Sequence, residues 1–453
     1  MKKVLIVTPS AYLAGGVETI IHDLCRELPQ LGWCSELGLA AGERFHIVSR
    51  YRTAYPGVTV HPILPRFPTR RARVEAIVSV ARNVGPDVVV AARIADAYEA
   101  VARLKLAGRA PRLGVMVRGL EAQYVHDVSA YRAFIDACFV DGRLIEQACI
   151  ELAGMDRDRV FNLPGGVHPP VLPAGPRVPG EVLRIGYVGR LALADKRVLD
   201  LIPLVERLEQ ADLPFMLSVT GDGPEEAALK GALDTPARRS RIRFLAWQTH
   251  EALYRDVFPQ LDCLLNFSPT EGVTIAPREG LVHGVVPVLS RFPGLVAEGV
   301  FRDGNNTLTF EVGNMDAAAR HVIALHREPG LLARLSAAAI VSQKGRYLFE
   351  ASMRDWADAF DACLRAPPRC GRRLPVDDEP RPRLERMGLP GAVADRLRSW
   401  SRRIPQPREP GDEWPHGRFR VPAAAEDRLE ALQRVCDDAA ETRSTAAAPM
   451  MEP

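Results

Sequence analysis

Between His168 and Val182 the chain places five prolines in fifteen residues. Proline has no amide hydrogen to donate and fixes its own φ, so such a stretch cannot run through a helix or a central strand. It therefore divides the sequence into two parts, each of which must build its own core. The same pattern stands on both sides of it. Before it, the short apolar runs Val4–Val7, Val88–Ala92 and Leu113–Val117 read as strands, and Val17–Leu28 and Ala95–Leu106 carry apolar residues at helical spacing. After it come strands Leu183–Val188, Phe215–Thr220, Ile242–Leu245, Cys263–Asn266 and Val286–Leu289. Helical patterns lie between them over Val198–Gln210, over Pro224–Leu233 and from Ala276. Continuous apolar strands alternating with helices predict parallel sheets covered on both faces, an α/β fold built twice.

The 453 residues amount to three times the ~150 of one domain. With 47% hydrophobic and 25% charged residues the composition excludes a fibrous or wholly disordered protein. A net charge of +3 gives no whole-protein case for nucleic acid, and no nucleic-acid partner is expected. Eight cysteines without a CxxC pair read as reduced thiols of an intracellular protein. The run Val4–Val7 is too short for a secretory signal, and no stretch approaches the ~18 apolar residues of a membrane span. The expected location is the cytoplasm, or the inner face of the cytoplasmic membrane. From Ala366 onward the chain holds 13 of the 37 prolines and its basic residues are all arginine. That segment, 366–453, reads as a largely disordered tail, with one amphipathic stretch over Glu426–Glu441.

Three segments carry chemistry. Gly15 and Gly16 stand between the first strand and the first helix, where bare amides and a helix N-terminus suit an anion. The same glycines serve a tight strand-to-helix turn equally well. The second half opens with Gly186-Tyr-Val-Gly189-Arg190 and reaches Lys196 just before a helix. Arginine offers a phosphate two parallel donors and lysine a compact charge, at the carboxyl end of a parallel strand where open α/β sheets bind ligands. The third segment runs from Ser268 through Glu271 and Glu279 to His283-Gly-Val-Val-Pro287. Two glutamates eight apart, around the entry to a helix, suit the vicinal hydroxyls of a ribose or hexose.

In order and spacing these segments resemble the retaining GT-B glycosyltransferases of family 4. Further matching pieces are LPGGVH (163–168), TGDGP (220–224), FLAWQ (244–248) and the Pro293–Glu298 stretch. The likeness spans roughly residues 1–365 and is stronger in the second half. It implies a Rossmann-like acceptor domain over 1–167, the linker 168–182, a Rossmann-like nucleotide-sugar domain over 183–346, and a helix 347–365 returning to the first. It also implies that Arg190 and Lys196 neutralise a donor diphosphate and that Glu271 sits by the transferred sugar. Glu279 would take the ribose, with Gly189, Gly221, Gly223, Leu245 and Ala246 around the nucleotide. Gly15, Gly16 and Arg118 would form the acceptor and phosphate loop. No metal or other cofactor is implied, and Asp156-Arg-Asp158 reads as a solvated loop.

Arg118-Gly119 stands where many relatives have histidine-glycine, which points to altered sugar and acceptor contacts or to an anionic sugar or acceptor. The implied reaction moves a hexose from a UDP- or GDP-sugar to a hydroxyl of a glycan or polyprenyl-linked acceptor, in cell-surface polysaccharide or glycoconjugate synthesis. A nucleotide-sugar epimerase and an inactive scaffold on the same fold are the alternatives. Arg66, Arg70, Arg71 and Arg73, beside the apolar Val74, Ile77 and Val78, read either as an anionic-membrane surface or as a solvated helix edge over a core face.

Overall fold

The computed structural model describes residues 1–11, 15–109, 111–376, 384, 387–400 and 407–446. Ala14 of the first loop and the tail segments 377–383, 385–386, 401–406 and 447–453 lie outside the described residues.

Two parallel sheets form the body. The first has seven strands: β1 (Lys2–Pro9), β2 (Trp33–Ala40), β3 (Val60–Ile63), β4 (Val88–Ala92), β5 (Arg112–Val117), β6 (Ala137–Val140) and β7 (Val160–Asn162). Their spatial order is β3-β2-β1-β4-β5-β6-β7. The second has six: β8 (Leu183–Val188), β9 (Phe215–Thr220), β10 (Ile242–Leu245), β11 (Cys263–Asn266), β12 (Val286–Ser290) and β13 (Leu308–Phe310), ordered β10-β9-β8-β11-β12-β13. Strand order reverses between β1 and β4 in one sheet and between β8 and β11 in the other. These switch points are where adjoining loops diverge and leave a crevice. The expected α/β class with two doubly wound units is what the structure shows.

The strands are apolar throughout because both faces are covered. Leu5, Val7, Val89, Ala91 and Val115 enter one core. Val4, Ile6, Val88, Val90 and Met116, one residue out of phase, enter the core on the opposite face. That second core is closed by a distant element: Phe349, Met353, Trp356 and Phe360 of the helix Phe349–Arg365 pack into it. Asp361 at its edge accepts from Trp33 Nε1 at 3.0 Å and pairs with Lys2 at 2.6 Å.

The described parts of the tail pack against the body. Glu413 accepts from the amides of Glu43, Arg44, Phe45 and His46, capping a loop of the first domain. Trp414 is 1% exposed and donates from Nε1 to the carbonyl of Ala41 at 3.0 Å. The amides of Arg418 and Phe419 both donate to Asp127. The helix Ala423–Ala446 then buries Leu429 and Leu432 in the first core. Asp437 further along it accepts from the amide of Gly294 in the second domain, so the tail ends as a bridge between the two.

The arginine-rich helix Arg70–Val84 resolves on its core side. Val74 and Ile77 are fully buried, Arg73 pairs with Asp96 at 2.6 Å, Arg70 with Glu99, and Arg71 with Glu75 at 2.8 Å. Arg66 lies over the Phe67 ring. Val74 and Ile77 of the apolar face weighed for membrane contact are thus core residues. Among the described residues no helix is long and apolar enough to cross a membrane.

Candidate functional site

A cleft of about 380 Å³ opens between the carboxyl ends of the two sheets. Its second-domain wall is made by the loops after β8, β9, β10 and β11. Gly189, Arg190 and Lys196 come from the first of these, Gly221 from the next, and Glu271 from the last, while Glu279 projects from the helix Ile275–Val282. Gly15, Gly16 and Arg118 line the opposite wall. Nine sequence-predicted site residues therefore converge on one cleft.

Gly221 shows why the loops lie so close. A Cβ there would fall 2.0 Å from the carbonyl oxygen of Gly189, at a φ of 141° that side chains rarely adopt. The loops after β8 and β9 are also tied by hydrogen bonds from Gly189 to Thr220 and from Leu191 to Asp222.

Gly223, Leu245 and Ala246 do not line the cleft. Gly223 packs on the backbone of Leu191. The carbonyl of Leu245 accepts from the Gly221 amide, and that of Ala246 from the Gln248 side chain. The next residues along that loop, Trp247, Gln248 and His250, face the cleft instead. Sequence reasoning stopped at Ala246, one residue before Trp247; the available signal was a tryptophan two residues past a strand end.

Each cation of the cleft meets a carboxylate. Arg190 pairs with Asp195 at 2.7 Å, and Lys196 with Glu271, which also accepts from Ser268 Oγ at 2.7 Å. Arg93 pairs with Glu18 at 3.0 Å. Glu279, buried in its helix, holds His250 Nε2 at 2.9 Å. Burial opposes charge on His250, but the bond to Glu279 and the nearby carboxylates of Glu279, Asp23 and Glu251 outweigh it and raise its pKa. Asp23, on the first helix, is pushed up to about 7 by burial, with the charges of His250 and Arg26 opposing. His168 stacks on Phe349 with ring centroids 3.7 Å apart, and burial next to His250 lowers it to about 4.

Arg118 is held from two sides. Its Nη1 donates to the carbonyl of Leu163 at 2.7 Å, and its Nη2 lies 3.4 Å from Asp141 Oδ2. Asp141 also marks where the domains touch. A Cβ on Gly272 would sit 2.8 Å from the Asp141 carbonyl oxygen, and one on Gly16 would sit 3.1 Å from Ile275 Cδ1 across the gap.

Residues 183–328 match the family described as glycosyl transferases group 1. No curated protein matches the chain in sequence. Among solved structures, the lipopolysaccharide outer core galactosyltransferase WaaB in its apo form is similar with a TM-score of 0.62 at 16% identity, over 80% of this chain and 99% of that one. Anabaena Alr3699/HepE in complex with UDP and glucose gives a TM-score of 0.62 at 15% identity, over 80% of this chain and all (100%) of that one. The pneumococcal O-GlcNAc transferase GtfA in complex with UDP and GlcNAc gives 0.66 at 10% identity, over 81% and 99%. The chain thus has the two-domain GT-B fold, and its second domain matches the glycosyl transferases group 1.

Proposed function

We propose that the protein is a retaining glycosyltransferase that moves a hexose from a nucleotide diphosphate sugar to a hydroxyl of a glycan or lipid-linked acceptor. The observation that carries this reading is the placement of Arg190 and Lys196 on one wall of the cleft, each held by a carboxylate it can exchange for a phosphate. The reaction leaves negative charge on the departing diphosphate, and fixed positive groups aimed at developing charge supply the largest catalytic term in most enzymes.

Glu279 suits the ribose hydroxyls because His250 fixes its orientation from within the cleft. Glu271, bound by Lys196 and Ser268, is a sugar-orienting group rather than a nucleophile in this reading. The acceptor then attacks from the face the leaving group occupies, and its proton passes to the diphosphate oxygen. The charge on the donor is met by side chains, and no metal enters the scheme. The family match over 183–328 and the UDP complexes among the similar structures support a nucleotide-sugar donor.

The test is thermal stability in the presence of UDP, GDP and their sugars. A ligand at 100 times its dissociation constant adds ~2.7 kcal/mol. The matching donor should also hydrolyse slowly without acceptor. Absence of any shift with every nucleotide sugar, together with no hydrolysis, would overturn the reading.

A further inference from the structure

Arg118 and Asp141 form a buried ion pair on the first-domain wall, with side chains only 4% and 10% exposed. The pair is incompletely bonded. Arg118 Nη2 and Asp141 Oδ1 are both buried and make no hydrogen bond, although both residues line the cleft. A buried donor and a buried acceptor left open side by side each cost stability unless a ligand completes them.

The charges around the pair decide which ligand. Arg118 and Arg278 bring positive charge to Asp141 and Glu298 brings negative charge. Arg278 is committed elsewhere, to the carbonyls of Gly165 and Tyr347 and to Gln343. Glu298 is committed to the Arg143 amide and the Tyr347 hydroxyl. Glu121 lines the same wall and adds a carboxyl. A carboxylate ligand would use the free donor but meet Asp141 and Glu121. A hydroxyl both donates and accepts, and satisfies the open pair at once.

We propose that Arg118 Nη2 and Asp141 Oδ1 form a subsite for a hydroxyl of a neutral sugar ring, and that the pair discriminates against uronic acids. This rests on the transferase reading above, and it resolves the alternatives left open for Arg118 against an anionic sugar. The hydroxyl belongs either to the donor sugar or to the acceptor.

The experiment compares three affinities: the nucleotide diphosphate alone, its neutral hexose conjugate, and the matching uronate conjugate. It adds transfer rates to neutral and uronate-terminated glycoside acceptors. The wild-type protein should favour the neutral member at least tenfold in one of the two arms, and that arm identifies the source of the hydroxyl. Asp141→Asn keeps the shape but leaves Arg118 uncompensated, so it should narrow the same ratio at least tenfold. The wild-type ratio needs no variant, so a misfolded variant cannot rescue the idea. Preference for the uronate in either arm, or no preference in both, overturns the subsite alone if the nucleotide diphosphate still binds. If the nucleotide diphosphate does not bind at all, the transferase reading fails and the subsite falls with it.

Discussion

The two walls of the cleft carry similar charges in different settings. On the second-domain wall the pairs are partly open to solvent: Arg190 and Asp195 are 40% and 38% exposed, Lys196 and Glu271 22% and 15%. On the first-domain wall Arg118, Asp141 and Glu18 are nearly closed off. An exposed pair contributes little to stability and changes partners at small cost, whereas breaking a buried pair costs ~3–5 kcal/mol. One wall is therefore suited to binding charge that comes and goes, and the other to holding a shape. The more open wall rests on a domain whose main core is built from its own residues, while the closed-off wall is braced by the helix Phe349–Arg365 and by the tail.

Loosening the brace is the most severe way to break that contrast. Trp414→Ala should destabilise the first domain by ~3–5 kcal/mol, the usual cost of deleting a buried aromatic side chain. Denaturant unfolding with domain-resolved probes reads it. A loss shared equally by both domains, or no loss, would show that the tail does not brace that wall.

Lys196→Ala should lower kcat by ~10²–10³, or ~3–4 kcal/mol, while the folded state stays intact. Steady-state kinetics with saturating donor and acceptor checks it, and near wild-type turnover would mean that the second-domain wall does not meet the diphosphate. Glu279→Ala should weaken nucleotide binding roughly tenfold, ~1.4 kcal/mol, with a smaller change in kcat, because ribose contacts are alike in ground and transition states. Titration calorimetry with the nucleotide alone separates the two parameters.

A separate effect concerns pH. Asp23 ionises near 3.8 when unfolded and at about 7 when folded. The folded state therefore holds a proton that the unfolded chain has lost, and this group's contribution to stability falls as pH rises from about 4 to 7. Asp23→Asn should raise the melting temperature at pH 8 by ~2–4 °C for each kcal/mol recovered, and leave it nearly unchanged at pH 4. Equal shifts at both pH values would contradict the assignment.

The same contrast decides what the sequence made legible. The second-domain wall is written locally: a strand, a glycine, an arginine and a lysine within the fourteen residues 183–196, so chain order alone brings them to one edge of a sheet. The bracing was hidden because its determinants are far apart. Trp414, Phe419, Leu429 and Leu432 are isolated apolar residues in a proline- and arginine-rich segment, a composition equally suited to a disordered chain. They become anchors only against a surface built by residues some three hundred positions earlier. Within the amphipathic stretch, Leu429 and Leu432 are buried, yet Val435 is 64% exposed. For the helix Arg70–Val84, periodicity gave one apolar face but not what covers it, and only the packing of Val74 and Ile77 in the first core supplies that.

The way the cores are assembled along the chain bears on how the protein is made. The main second-domain core draws only on residues between Leu183 and Leu335, so it can close as soon as that stretch has left the ribosome. The first domain is synthesised earliest, yet one of its cores waits for Phe349 to Cys363 and the other for Trp414 to Leu432. At ~5–20 residues per second, its apolar sheet faces stay incompletely covered for some tens of seconds of translation. In this molecule the order of completion runs opposite to the order of synthesis, and the nascent first domain is the part that a chaperone would have most reason to hold.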